Sequence, residues 1–432
     1  MSRIKPKIVW VTNKVIPIVE NEINGEANLV NEGWISTMFI QFSAEEKVDV
    51  AIVCFGSKET RFGEAKGFRW YTVSETWEEE KEYSEKQKDC MISILKTEKP
   101  DIIHIWGTEY PHTLAAVNAA EETGLIDNTI VSIQGIISEC AKYYCAGLPV
   151  RVINSNTLID FIRRTNIRSQ QKMFARRGEF EIQAIKKIKH VIGRTEWDRN
   201  CVLNINSGLT YHFCNETLRD AFYNDTWSIN NCVRHRIFIS QASYPLKGFH
   251  IFLEVLPKLL DRYPDIEVHV CGENILSINS IKDMLKTSSY GVYLKKMIKK
   301  RNLSKIITFC GKLNAEQMKH EYLMANMYLL CSSLENSSNS VGEAMLLGTP
   351  VISSDVGGIA TILKAPREGL TYNWDDRDEL LSAICNIFDN DELATRLSDA
   401  AKEHACRTHD KATNYQAINN IYEDIISLHN QL

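Results

Sequence analysis

The sequence predicts an α/β protein of two domains, each a parallel sheet with helices on both faces, and three observations carry the prediction. Short apolar runs recur along most of the chain and read as buried strands. Between them lie polar loops and helical patterns, the strand, loop and helix rhythm that parallel sheets require. At 432 residues the chain is also too long for one ordinary core, so two domains of roughly 200 residues each are expected.

Taken in order, residues 7–13 (KIVWVTN) form a first strand. A polar loop runs from Val19 to Asn31, and Gly33-Trp34 opens a helix. Residues 48–54 and 68–73 are strands, followed by an acidic, then mixed helix over 75–96 that ends at Lys99-Pro100. Another strand covers 101–106, with His104 inside it as a satisfied core residue. The loop 107–112 leads into a helix over 113–123, and the strand 130–133 ends at Gln134-Gly135. After the strand 188–192, Thr195 reads as an N-cap with Asp198 completing a box-like pair.

The Asn- and Ser-rich run 224–236 reads as a linker, which places the first domain at 1–228 and the second at 229–408. Strands over 236–240, 267–271, 306–310 and 328–331 follow, each leading to a loop. A helix over 341–347 is stopped by Gly348 and Pro350, and the strand 350–354 is closed by Gly357-Gly358. The last segment, 409–432, holds a closing helix over 412–428.

Composition is that of an ordinary globular protein, 44 % hydrophobic and 24 % charged with a net charge of −5, and nothing in it calls for nucleic acid. No apolar segment approaches the length of a membrane span, and the N-terminus runs straight into a strand, so a cytoplasmic protein is expected. The twelve cysteines include no C-x2-C pair and read as buried free thiols rather than disulfides or zinc ligands. Residues 151–190 carry ten Lys and Arg against three acids, with Phe161, Ile162, Ile167, Met173 and Phe174 interleaved. Two readings stand: a helix lying peripherally on anionic lipid, or a helix whose apolar stripe faces its own domain.

The most informative stretch is 329–358. Glu335 lies in the loop leaving a strand, and Glu343, eight residues on, lies in the first turn of the next helix. In a parallel sheet this loop is at the carboxyl ends of the strands, where ligands bind. Backbone N–H groups from Ser338 to Gly342, backed by the helix dipole, suit a phosphate, while each glutamate can accept from a pair of hydroxyls. A nucleotide-sugar has that pattern.

These residues resemble the E-x7-E signature of retaining glycosyltransferases of family 4, including those that build bacterial surface polysaccharides. Their GT-B fold has two Rossmann-like domains with parallel sheets facing a central cleft. The resemblance implies that Glu335 contacts the donor sugar near the reacting carbon and that Glu343 holds the ribose. Asn336, Ser338, Asn339, Ser340 and Val341 would line the donor, and Lys247-Gly248 matches the family's phosphate-binding lysine. Departures are Ser337-Ser338 for the usual Phe-Gly, Gln241 or Ala242 for an arginine, and Gln134 for a histidine. Gln134 would take the histidine's place near the reacting groups without its proton chemistry. Arg194 and Arg199 are placed to supply the missing charge to the diphosphate, with structural ion pairing to Glu196 or Asp198 as the competing reading. Gly25, Gly33, Glu109, His112 and Gly135 are candidates for the acceptor side, although a plain turn reading of Gly25 and Gly33 and a capping role for Glu109 and His112 stand beside that. The closing helix would cross back to the first domain.

The resulting expectation is a retaining, metal-independent glycosyltransferase in the cytoplasm or at the inner face of the membrane. It would use a nucleotide-sugar as substrate, a glycan or lipid-linked acceptor, and no cofactor. A nucleotide-sugar epimerase, a phosphorylase with pyridoxal phosphate, or a sugar-nucleotide binding protein without turnover are the alternatives. Asp389-Asn390-Asp391 resembles a metal-binding D-x-D but reads better as a turn and cap.

Overall fold

Strand β1 (Lys7–Thr12) is formed by the first apolar run and is buried beyond Lys7. Its neighbours are β2 (Asp49–Ser57), β3 (Arg61–Ala65), β4 (Phe68–Ser74), β5 (Ile102–Trp106), β6 (Thr129–Ser132), β7 (His190–Gly193) and β8 (Thr210–Phe213). They make one sheet in the order β3-β4-β2-β1-β5-β6-β7-β8, parallel throughout except for the antiparallel edge strand β3. The computed structural model describes residues 5–25, 33–44, 47–65, 67–272, 274–275 and 287–429. Parts of the expected loop 19–31, Glu273 and the last three residues lie outside those.

Strand alternation divides this core into two faces. Val9 and Val11 point into a cluster with Ile103, Ile105, Val117 and Ile185, whereas Ile8 and Trp10 point into one with Phe39, Phe42, Tyr415 and Tyr422. The last two residues belong to the closing helix Lys411–His429. The Tyr422 hydroxyl accepts from Trp10 Nε1 at 3.1 Å and meets His104 Nδ1 at 2.5 Å, while His104 Nε2 faces Ser132 Oγ at 2.7 Å. Both partners of the imidazole are neutral hydroxyls and the ring is fully buried, so His104 is a neutral core residue. Burial accordingly pushes its pKa down to about 3.

The second sheet holds β9 (Arg236–Ile239), β10 (Glu267–Val270), β11 (Ile307–Phe309), β12 (Met327–Leu330), β13 (Val351–Ser354) and β14 (Leu370–Tyr372). Its order is β11-β10-β9-β12-β13-β14, all parallel. That is the order of doubly wound nucleotide-binding sheets, whose ligand crevice opens where the order reverses, here between β9 and β12. In the first sheet the corresponding reversal is between β1 and β5.

Two compact units result. One contains the chain to Glu139, Phe174–Arg219 and the segment from His409 onward; the other contains Cys140–Met173 and Asp220–Thr408. A single break at 228/229 leaves out the 140–173 segment, which is fastened to the second unit by tertiary contacts that its sequence does not announce. His250 Nε2 lies 3.1 Å from the Ala146 carbonyl, and the Ser289 amide donates to Asp160 at 2.8 Å.

The helix expected over 75–96 begins only at Glu85, capped by Ser84, whose side chain accepts from the Gln87 amide. Thr76 and Glu79 instead exchange side-chain and backbone hydrogen bonds in a separate turn. Strands β3, β8 and β14 were not anticipated, because β3 and β8 are polar and largely open and β14 has three residues. No described helix is long and apolar enough to cross a membrane.

Candidate functional site

The loops leaving β9 and β12 meet at the order reversal of the second unit, and their sequences explain how. After β9 the chain makes a turn, Pro245–Lys247, and Gly248 then starts helix Phe249–Arg262 with φ +67°. A Cβ on Gly248 would stand 1.7 Å from the Cys331 carbonyl oxygen, so glycine is needed both for the left-handed backbone and for the close approach. The Ser333 amide donates to the Leu246 carbonyl at 2.8 Å, and Trp374 Nε1 donates to the Cys331 carbonyl at 3.1 Å. Together these contacts fix Lys247 beside the end of β12.

There Lys247 Nζ donates to Glu335 Oε1 at 2.5 Å, and Ser332 Oγ donates to the same oxygen at 2.6 Å. Burial works against the ammonium, but the Glu335 carboxylate outweighs it and holds the Lys247 pKa well above the usual lysine value. The Glu335 backbone is held too: its carbonyl accepts from the Gly358 amide at 3.0 Å, and a Cβ on Gly357 would come within 1.9 Å of that carbonyl oxygen. This is the structural reason for the Gly357-Gly358 pair.

Helix Asn339–Leu347 follows, with Ser338 as N-cap but no side-chain capping bond. The Val341 and Gly342 amides are taken by the Ser338 carbonyl at 3.0 and 3.2 Å. The amide cradle expected from Ser338 to Gly342 is therefore narrower than the sequence suggests, and the helix dipole is what remains of it. The Val341 side chain is fully buried, and Asn336 and Ser338 are nearly so. Glu343 is also buried, and the Tyr322 hydroxyl lies 3.4 Å from its Oε2 while donating to the Ser340 carbonyl at 3.1 Å. Glu343 thus sits one helical turn behind the helix start, supported by a tyrosine that the sequence did not flag.

In the first unit, residues from three strand ends gather at the reversal between β1 and β5. Asn13 Nδ2 donates to Glu109 Oε2 at 3.0 Å, and Asn13 Oδ1 lies 2.9 Å from His112 Nε2. His112 Nδ1 lies 3.1 Å from Glu75 Oε1. Gly107, at φ +95°, makes room, since its Cβ would be 2.4 Å from both Asn13 Nδ2 and Glu109 Oε2. Glu109 is half-buried, and burial raises its pKa against the opposing pull of Asn13 and the Gly135 and Thr108 amides. His112, expected on the acceptor side, is fully buried and cannot touch a ligand; it holds Asn13, which in turn holds Glu109. Gly25 is the left-handed cap of helix Pro17–Asn24, and Gly33 opens helix Gly33–Ala44.

Arg194 differs most from its expected role. Its guanidinium is buried, ion-paired with buried Glu216, and bonded to Gln134 Oε1 at 3.1 Å, while Gln134 Nε2 donates to Glu216 at 3.2 Å. A buried arginine paired in this way holds Gln134 in place rather than standing open to a diphosphate. Arg199 sits on the outside of helix Glu196–Ile205, 3.3 Å from Glu196. Glu216 was missed, and its only sequence signal is an acid in an irregular stretch. The D-x-D-like run serves as caps and ion pairs: Asp389 accepts from Tyr263 and Arg262, Asn390 Oδ1 accepts from the Leu393 amide, and Asp391 pairs with Arg234.

Comparison with known proteins finds likenesses to the second unit in sequence and to the whole chain in fold. Residues 234–404 match the family described as Glycosyl transferases group 1. The D-inositol 3-phosphate glycosyltransferase of Corynebacterium urealyticum is 24 % identical over 168 residues, which is 38 % of this chain and 37 % of that protein. The chain therefore matches well under half the length of this curated relative. Sucrose-phosphate synthase from Thermosynechococcus elongatus superposes with a TM-score of 0.72 at 13 % identity, covering 98 % of this chain and 100 % of that one. The Anabaena HepE protein, in complex with UDP and glucose, superposes with a TM-score of 0.64 at 12 % identity over 97 % and 100 % of the two chains. At such identities the structural likeness carries the fold alone. The matched domain and the glycosyltransferases among its relatives support a transferase. Residues 234–404 are thus similar to the glycosyl transferases group 1 family, in a chain whose two parallel-sheet α/β units follow the GT-B fold of its structural neighbours.

Proposed function

We propose that this chain is a retaining, metal-independent glycosyltransferase that takes its sugar from a nucleotide-sugar and passes it to a glycan or lipid-linked acceptor. The observation that carries the reading is the meeting of Lys247 and Glu335 at the order reversal of the second sheet. An ammonium has three donors; one lies on Glu335 and Tyr244 is a second neighbour, which still leaves capacity for an oxygen of a diphosphate. Lys247 and the opening of helix Asn339–Leu347 supply the positive charge that a departing diphosphate needs, the largest electrostatic contribution to such a transfer. Glu335 stands beside them, where a carboxylate orients the sugar and stabilises the cationic character that builds at the anomeric carbon. Glu343 accepts from the ribose hydroxyls. Glu109 is the acceptor-side carboxyl, held by Asn13. The UDP and glucose in the HepE complex favour the same class of donor for a protein of this fold.

A thermal-shift panel of UDP-, GDP- and ADP-sugars tests the reading, because a ligand of the folded state raises its melting temperature. One donor class should give a clear rise that Lys247→Met abolishes. No rise with any nucleotide-sugar, together with no release of nucleotide from them, overturns the proposal. Binding without any release, with or without an acceptor, would leave a sugar-nucleotide binding protein instead.

A further inference from the structure

The large hydrophobic residues exposed to solvent are unevenly placed. Of the ten among the described residues, five fall in a stretch of twenty: Tyr143, Val150, Leu158, Phe161 and Ile162. Phe161 is 76 % exposed, Val150 and Ile162 are 68 % and Leu158 is 54 %. Leu158, Phe161 and Ile162 have i, i+3, i+4 spacing on helix Leu158–Arg163 and so share one face. Leaving that much apolar surface in water is unfavourable, and so concentrated a patch marks an interaction surface.

Charge identifies the partner. The 140–173 segment has six basic residues, Lys142, Arg151, Arg163, Arg164, Arg168 and Lys172, and all are exposed. Its single acid, Asp160, is buried, taken up by the Thr157 cap and by the Ser289 amide. The outward face therefore combines large apolar side chains with cations and no carboxylate of its own segment, which is the composition that binds an anionic bilayer surface. Only the start of the long helix Ile167–Lys187 adds to this face, through Arg168 and Lys172, since farther along Phe180, Ala184 and Ile185 are in the core of the first unit.

The patch also rests on a firm base. Tyr144 stacks on Tyr244 with ring centroids 6.4 Å apart, and Ser333 Oγ donates to the Tyr143 carbonyl at 3.2 Å. Reciprocal capping by Thr157 and Asp160 fixes the start of helix Leu158–Arg163. We infer that residues 143–168 form a docking surface for anionic lipid, with Leu158, Phe161 and Ile162 entering the headgroup boundary and Arg151, Arg163, Arg164 and Arg168 meeting lipid phosphates.

Co-sedimentation of the full chain tests this, using vesicles of phosphatidylcholine alone and of equal parts phosphatidylcholine and phosphatidylglycerol. The chain should pellet with the mixed vesicles, less so at high salt, and much less with the neutral ones. Phe161→Asp with Ile162→Asp should lower binding at least about tenfold, because apolar insertion is lost, at an unchanged melting temperature. Arg151→Glu with Arg163→Glu should abolish the preference for anionic vesicles, and this pair carries the test if the first one disturbs the fold. Failure of the wild type to bind mixed vesicles, or equal binding by both variants, overturns the inference. So does self-association seen by light scattering that the Asp pair removes while vesicle binding is absent, since the surface then joins two copies of the chain.

Discussion

Gly248 and Lys247 show how a short sequence motif becomes a candidate site. The glycine lets the turn press on the end of β12, and that contact brings the lysine ammonium to Glu335. Gly248→Ala should cost about 1–3 kcal/mol through left-handed strain and the clash with Cys331, measurable by chemical denaturation, and should weaken donor binding at the same time. Lys247→Met should keep the fold but lower turnover by about 10²–10³-fold, the loss seen when one stabilising donor is removed, as read from kcat. Lys247, Glu335 and Glu343 were legible because each lies in a local pattern of strand, loop and helix. Asn13, Glu75 and Glu216 were not, because their roles depend on partners 96, 37 and 22 residues away, for Asn13–Glu109, Glu75–His112 and Glu216–Arg194 respectively. Arg194 was misjudged for the same reason: its position was readable, its counter-ion was not.

At the scale of elements, apolar runs identified the central strands and the edge strand β11, whereas the edge strands β3, β8 and β14 were hidden; the Thr195 cap was legible and the Ser84 cap was not. The acidic run 75–84 looked helical, yet Thr76 and Glu79 bond each other's amides, and Ser84, bonded to the Glu79 carboxylate, caps a helix that starts only at Glu85. The closing helix Lys411–His429 was visible from its pattern, and it is attached by buried Tyr415, Ile418, Ile421, Tyr422 and Ile425 together with the bonds of the Tyr422 hydroxyl. Tyr422→Phe would leave His104 Nδ1 and Trp10 Nε1 buried without that partner. The expected cost is about 1–3 kcal/mol, read as a lower midpoint in urea; an unchanged midpoint would show that the helix is held by apolar packing alone.

At the scale of the whole molecule, buried neutral histidines make the fold acid-sensitive. Burial pushes His104 down to about 3 and His250 down to about 4, while the unfolded chain takes up those protons near pH 6.5. Stability from these groups is complete above pH 6.5 and is lost as pH falls from there toward 4 and 3. Each can remove up to about 1.4 kcal/mol per pH unit in that window. Melting temperatures should fall between pH 6.5 and 5, and His250→Gln should flatten the fall; equal slopes would contradict the assignment. His250 also holds the Ala146 carbonyl, so this titration reaches the segment that carries the exposed apolar patch.

The proposed sugar transfer rests on the carboxylate at 335. The most direct measurement is release of free nucleotide from the nucleotide-sugar that stabilises the protein, compared between the wild type and Glu335→Gln. The account predicts slow release by the wild type without acceptor, faster release with it, and a loss of about 10²-fold or more in the variant while binding persists. Release by Glu335→Gln at the wild-type rate would contradict it.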